Sequence, residues 1–212
     1  MSTIWLVGGT GLVGSGVEHG LRGRALVSFV RRDGAAAPRR HIDFEALPAA
    51  LTDAGPCVVA VCCLGTTIRT AGSKAAMRRV DHDYVVAFAQ AAKAAGARQF
   101  MLVSSTMADA RASNFYLRLK GETEADVIAV GFGRVDIIRP GLLLGERREF
   151  RPGERIAAVL APVLRPVLVG GLYRYRAISA RTVADAIVSL AGKGGEGVII
   201  HENRELERLA RQ

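Results

Sequence analysis

Lysine is scarce in this chain: only four of its 29 basic residues are lysine, and no run of five or more charges of one sign occurs in its 212 residues. The net charge of +9 is carried by arginines spread along the chain. That describes a solvated basic surface better than a polyanion-binding tract, so a nucleic-acid partner is the lesser reading. Cysteine is sparse as well. Cys57, Cys62 and Cys63 fall in one apolar run, an odd number without Cys-x-x-Cys spacing, which excludes a disulfide framework and carries no zinc signature. The histidines, His19, His41, His82 and His201, are scattered, and no metal is expected. Such cysteine usage points to a reducing cytoplasm. Long apolar runs are missing too: the best, residues 156–169, is interrupted by Pro162, Arg165 and Pro166 and falls short of the roughly 18 unbroken residues of a membrane span. The apolar start, residues 4–7, turns at once into glycines instead of a cleavable leader. A soluble cytoplasmic protein with no membrane partner is the expectation.

What is present is a regular alternation. At 50% hydrophobic and 23% charged residues the chain can close one sizeable core, and residues 1–212 read as a single domain. Short apolar runs at 4–9, 25–30, 57–65, 99–105, 135–141 and 197–200 read as strands buried on both faces. Helical patterns fall at 12–21, near 44–51, from about 73 to 95 and from about 116 to 130. Strands alternating with helices predict a doubly wound α/β fold of the Rossmann type, a parallel sheet with helices on both faces. The Pro-interrupted segment within about 142–180 is expected to form a small cap over the carboxyl edge of the sheet.

The first strand runs into Gly8-Gly9-Thr10-Gly11-Leu12-Val13-Gly14, a G-x-x-G-x-x-G loop that opens a helix. Glycines there let the backbone turn tightly and approach a pyrophosphate, whose charge the helix N-terminus stabilises. Arg31 and Arg32 end the second strand, ahead of Asp33. An acidic residue at that place accepts from the NAD 2′-hydroxyl, whereas arginines suit the 2′-phosphate of NADP, so NADP(H) is favoured over NAD(H). Tyr116 and Lys120 form Tyr-x-x-x-Lys at the start of a helix and share one face. Ser104 and Ser105 end the strand before it, where ligands of open α/β sheets bind. A tyrosine needs its phenolate favoured by about 4 kcal/mol to work near neutrality. One ammonium about 4 Å away supplies about that much at an effective dielectric near 20. Taken as a lone cation, Lys120 could poise Tyr116 as a proton donor and acceptor.

Together these residues resemble the short-chain dehydrogenase/reductase superfamily, and more closely its atypical branch, that of the Tat-interacting-protein oxidoreductase and its fungal and bacterial relatives. The closer match rests on C-C-L-G-T-T at 62–67, R-V-D-x-D-Y at 79–84, L-V-S-S at 102–105, N-F-Y-L-x-x-K-G-E-x-E at 114–124, R-P-G at 139–141 and R-P-G-E at 151–154. The resemblance implies hydride transfer between NADPH and a small carbonyl or alcohol, with Tyr116 as acid/base, Lys120 beside it, and Ser105, or else Ser104, polarising the carbonyl. It further implies that Gly8, Thr10, Gly11, Leu12, Val13 and Gly14 cradle the phosphates and Arg31 and Arg32 meet the adenosine phosphate. Leu64 and Gly65 would line the cofactor, with Pro140, Gly141 and Leu143 beside the nicotinamide and Arg151 also reaching it. The ten residues between Ser105 and Tyr116 are fewer than is usual in the superfamily, and the 67 residues after Gly145 are short for the substrate domain of a nucleotide-sugar epimerase.

Two other readings stand beside the enzyme: an NADP(H)-sensing regulatory protein that binds a protein partner, and a nucleic-acid binder acting through the +9 charge; the apolar stretch 156–169 is read as lining the substrate side or as a homo-oligomer contact. Buried cysteines mostly act as small hydrophobes, so Cys62 and Cys63 are assigned to structure. Asp81, His82 and Asp83 lie on consecutive helical positions that do not share a face, so they are not expected to form a metal site, and the resemblance assigns them no catalytic role. Asp43 is read either as an adenine contact or as a helix cap.

Overall fold

Along Ile4–Val7 (β1) every residue is buried, and the side chains divide by alternation. Trp5 and Val7 join one apolar layer with Phe29, Ala60, Phe88 and Phe100, while Ile4 and Leu6 join the other with Val17, Val61, Met101 and Ile187. A strand apolar on both faces needs cover on both. A computed structural model of the chain, which describes residues 3–31, 38–145 and 170–212, shows that cover.

Seven strands form one parallel sheet: β1, β2 (Leu26–Val30), β3 (Arg39–His41), β4 (Val59–Cys62), β5 (Gln99–Val103), β6 (Arg134–Arg139) and β9 (Gly197–Glu202). Their spatial order is β3-β2-β1-β4-β5-β6-β9. Helices α1 (Leu12–Gly20), α7 (Ala180–Leu190) and α8 (Asn203–Leu209) contribute Val17, Val183 and Leu206 to the layer on one face. On the other face α2 (Leu47–Ala50), α5 (Tyr84–Ala94) and α6 (Phe115–Ala129) contribute Leu47, Phe88 and Val127. The chain passes outward from β1 to β3 and returns to β4 on the other side of β1. This reversal leaves a crevice at the carboxyl ends of β1 and β4.

The doubly wound α/β expectation holds, with differences in detail. The long helix expected over 73–95 is three pieces: α4 (Lys74–Arg78), a π turn at Arg79–Asp83, and α5. Helices α7 and α8 were not anticipated. Nor was a second, two-stranded parallel sheet of β7 (Leu142–Leu144) and β8 (Ala177–Ser179), which lies in the expected cap region. The remainder of that region, residues 146–169 with the apolar stretch at 156–169, lies outside the described residues. Asp43 takes the capping role, accepting from the Glu45 amide at 2.9 Å.

A polar network ties the far strands together beneath this apolar packing. The buried Asp136 carboxylate accepts from Arg134 (Nε and Nη2, both 2.8 Å) and Gln99 (2.7 Å), and pairs with His201 Nε2 at 2.8 Å. Burial works against the carboxylate, but the hydrogen bonds from His201, Arg134 and Gln99 outweigh it and hold the Asp136 pKa down at about 2.

Candidate functional site

The loop between β1 and α1 is shaped by contacts that leave no room for side chains. Gly8 has φ +82°, and a Cβ there would lie 2.5 Å from the Cys63 carbonyl carbon; a Cβ at Gly14 would lie 2.1 Å from the Gly8 carbonyl oxygen. The Gly11 amide closes the turn on that oxygen at 2.9 Å. Gly11 caps α1 without a side-chain acceptor, and no acidic residue occupies the first turn. The amides that open this helix therefore meet no competing carboxylate of their own, which is the arrangement that accepts a phosphate.

From this helix start a cleft of about 790 Å³ runs along the carboxyl edge of the sheet. Thr10, Gly11, Leu12 and Val13 line one end, and Leu64 and Gly65 lie on its β4 side. Ser104, Ser105, Tyr116, Lys120, Pro140, Gly141 and Leu143 line the remainder, so these residues, drawn from five stretches of sequence, are brought to one cavity. Gly8 and Gly14 shape the loop without lining the cleft. Arg31 is exposed beyond β2 and is likewise not in the wall, and Arg32 and Arg151 lie outside the described residues.

Helix α6 begins where Asn114 accepts from the Leu117 amide at 3.1 Å, which places Tyr116 in the first turn. Tyr116 is 37% exposed and Lys120, one turn on, is buried. Lys120 is not the lone cation of the sequence-based arithmetic. Its Nζ lies 2.8 Å from Asp81 Oδ1, and both side chains are buried. The other Asp81 oxygen accepts from the Thr66 amide at 2.8 Å, and the Asp81 carbonyl accepts from the Thr123 hydroxyl at 3.0 Å. Burial disfavours the Lys120 ammonium, but the charges of Asp81 and then Tyr116 prevail and raise its pKa above the ordinary lysine value. Asp81 and Asp83 do face apart, as expected of the cluster, but the resemblance gave Asp81 no role, and the π turn at Arg79–Asp83 brings it to Lys120. Within that turn Asp81 is buried against α6 while Asp83 is exposed. The R-V-D-x-D-Y motif was the available sign of it.

The two serines have different surroundings. The Ser104 and Thr106 amides donate to the Ile138 and Pro140 carbonyls at 2.8 and 3.0 Å, continuing the contact with β6 beyond β5. Ser104 is buried and its hydroxyl donates to Glu124, which also accepts from Arg139 Nε at 3.0 Å. The Ser105 hydroxyl makes one local bond, to the Thr106 carbonyl at 3.2 Å. Burial pushes the Cys62 thiol up to about 12, and it raises Cys63, at the cleft wall, further still. His82 pairs with Asp83 and Asp126 at 2.8 and 2.7 Å. Among the described residues, no group of three or more histidines, cysteines or carboxylates is placed to hold a metal ion, and no helix is long and apolar enough to cross a membrane.

No protein-family model matches the chain. It is 40% identical to protein HTATIP2 of Rattus norvegicus over 154 residues, 72% of this chain but 62% of the rat protein, so it spans less than two thirds of that relative. It is 33% identical to the fmp52 protein of Aspergillus niger over 213 residues, covering 94% of this chain and 91% of the relative. Against the fmp52 protein of Emericella nidulans the identity is 34% over 181 residues, covering 79% and 78%. Among solved structures it resembles human epimerase family protein SDR39U1 with NADPH (TM-score 0.65, 17% identity, 94% of this chain and 75% of that one). It also resembles the UDP-glucose 4-epimerase of Thermus thermophilus with NAD (TM-score 0.68, 15% identity, 99% and 82%). These similarities show the Rossmann-like fold. The cytoplasmic expectation is corrected: both fungal relatives are named mitochondrial, which points away from a purely cytoplasmic placement. Reduced cysteines reported on redox chemistry, which does not separate the two compartments. Matched to fungal relatives over most of their length, the chain belongs to the family of the HTATIP2 and FMP52 proteins, and its fold is Rossmann-like.

Proposed function

We propose that this protein is an NADPH-dependent oxidoreductase acting on a small carbonyl or alcohol, with Tyr116 as its acid/base. The observation that carries this reading is the single cleft that joins the uncapped start of α1 to Tyr116, Lys120 and Ser105. The fit to a dinucleotide rests on the crowded Gly8–Gly14 turn and on first-turn amides with no acidic neighbour. In this reading Thr10, Gly11, Leu12 and Val13 hold the pyrophosphate, and Leu64 and Gly65 lie along the cofactor. Pro140, Gly141 and Leu143 flank its nicotinamide end. Arg31, with Arg32 next in sequence, supports NADP over NAD, because a guanidinium at the end of the second strand suits a 2′-phosphate.

When bound, the nicotinamide supplies or takes up the hydride. Ser105 donates a hydrogen bond to the substrate oxygen, since its hydroxyl is committed only to a neighbouring carbonyl. Tyr116 gives that oxygen its proton in reduction and recovers it in oxidation. Lys120, anchored by Asp81, stands one helical turn below the phenol. Ser104 supports the site through Glu124 without meeting the substrate. The test is Tyr116→Phe: cofactor affinity should be retained, and turnover in a carbonyl screen should fall about 10²–10⁴-fold. Turnover unchanged in this variant would remove the tyrosine from the mechanism.

A further inference from the structure

Lys120 does not face Tyr116 as an isolated charge. Its ammonium lies 2.8 Å from a carboxylate that is as buried as itself, so from the phenol the two form a compact dipole. The field of such a dipole falls off faster than that of a lone cation, and a short buried pair resists screening by solvent. The second Asp81 oxygen is engaged by the Thr66 amide, on the loop that carries Leu64 and Gly65. Gly65 borders the same pair: a Cβ there would stand 3.7 Å from Asp81 Oδ1 and 3.9 Å from Lys120 Nζ. One carboxylate thus links the cofactor side of the cleft to the helix that bears Tyr116.

We propose that Asp81 is a positioning residue for the Tyr116–Lys120 pair, which anchors the buried ammonium against the Thr66 loop and cancels its charge as seen from Tyr116. The inference rests on the proposed function for its chemical meaning, because the charge that Tyr116 meets governs how readily it exchanges a proton with the substrate oxygen. Other titratable groups do not reverse the balance. Those acting on Lys120 besides Asp81 are Tyr116 from α6 and Cys62 from β4, and burial keeps the Cys62 thiol protonated. The arrangement also explains how a lysine stays charged out of water: the partner makes good the desolvation that burial imposes.

The experiment follows phenolate absorbance with pH on the full chain, without cofactor or substrate, and isolates Tyr116 by subtracting the matching Tyr116→Phe protein. Removing the carboxylate with Asp81→Asn leaves the buried ammonium unpaired: a lysine that keeps its proton moves the Tyr116 step to lower pH by about one unit, a tenfold change in the phenolate ratio, and one that gives it up leaves the step near wild type. Asp81→Asn/Lys120→Met removes both charges and should return the step to within about half a unit of wild type. A double variant that titrates well above wild type would overturn the proposal and restore Lys120 as a lone cation. If Asp81→Asn does not fold, the double variant, which leaves no unpaired buried charge, decides alone by the same criterion. A protein that shows these shifts but reduces no carbonyl loses the proposed reaction and keeps the Asp81 assignment. Turnover together with a double variant that titrates well above wild type does the reverse.

Discussion

The hydroxyls of Ser104 and Ser105 are adjacent in sequence and separate in their chemistry: the first donates to the buried Glu124, which Arg139 also holds, and the second stands at the cleft wall with only a local bond at 3.2 Å. A hydrogen bond to a buried carboxylate contributes about 1.5–3 kcal/mol. Ser104→Ala is therefore expected to lower the denaturant midpoint with little change in turnover per folded molecule. Ser105→Ala is expected to leave the midpoint in place and reduce turnover by about 10²-fold, the scale of losing one donor to a reacting oxygen. Parallel unfolding curves and turnover assays check both, and the opposite assignment of effects would exchange the roles of the two serines.

Helix α6 is seated on the segment that follows the serines by a close backbone approach. A Cβ at Gly121 would lie 2.1 Å from the Ala110 amide nitrogen and 2.3 Å from the Asp109 carbonyl carbon. Backbone cannot swing aside as a flexible side chain can, so Gly121→Ala should cost at least about 1–3 kcal/mol of stability. Because Tyr116 and Lys120 ride on the same helix, turnover should fall with it. Thermal unfolding is the measurement, and an unchanged midpoint would show that the two segments can part without strain.

Acid should weaken the fold through Asp136. Its pKa in the folded protein is about 2 against 3.8 for the unperturbed group. A depressed carboxylate contributes stability that is fully present above the unfolded pKa and lost as pH falls through the folded one. The window is therefore about pH 4 down to about pH 2, with about 2 kcal/mol lost across it. Denaturant midpoints of wild type and Asp136→Asn over this range should converge as the pH drops. The variant starts lower, because Arg134 has lost its buried counter-charge. Parallel curves would remove Asp136 as the titrating group.

The sheet was legible because its central strands are apolar on both faces, as with Ile4 to Val7, and that pattern needs no knowledge of the partner strands. The edge strand Arg39–His41 is exposed throughout and gave little sign of itself. Helix α7 carries Val183, Ile187 and Leu190 at helical spacing with Ser179 as its cap, but alanines dilute the stripe. In the site, the glycine loop, Tyr116 and Lys120 could be read because each motif is short and local. Asp81 had only the R-V-D-x-D-Y motif as a sign and its role could not be read from it, since its orientation depends on a π turn and on a lysine 39 positions away. The division between Ser104 and Ser105 likewise depends on Glu124, 20 residues further along.

The central claim is that the cleft holds a nicotinamide dinucleotide, and the most direct test is a fluorescence titration of the purified protein with NADPH and with NADH. Wild type should bind NADPH in preference, and Arg31→Ala/Arg32→Ala should lose that preference while the cleft beyond the ribose is unaltered. Binding of neither cofactor by a folded protein would contradict the claim and leave the glycine loop with a structural role only.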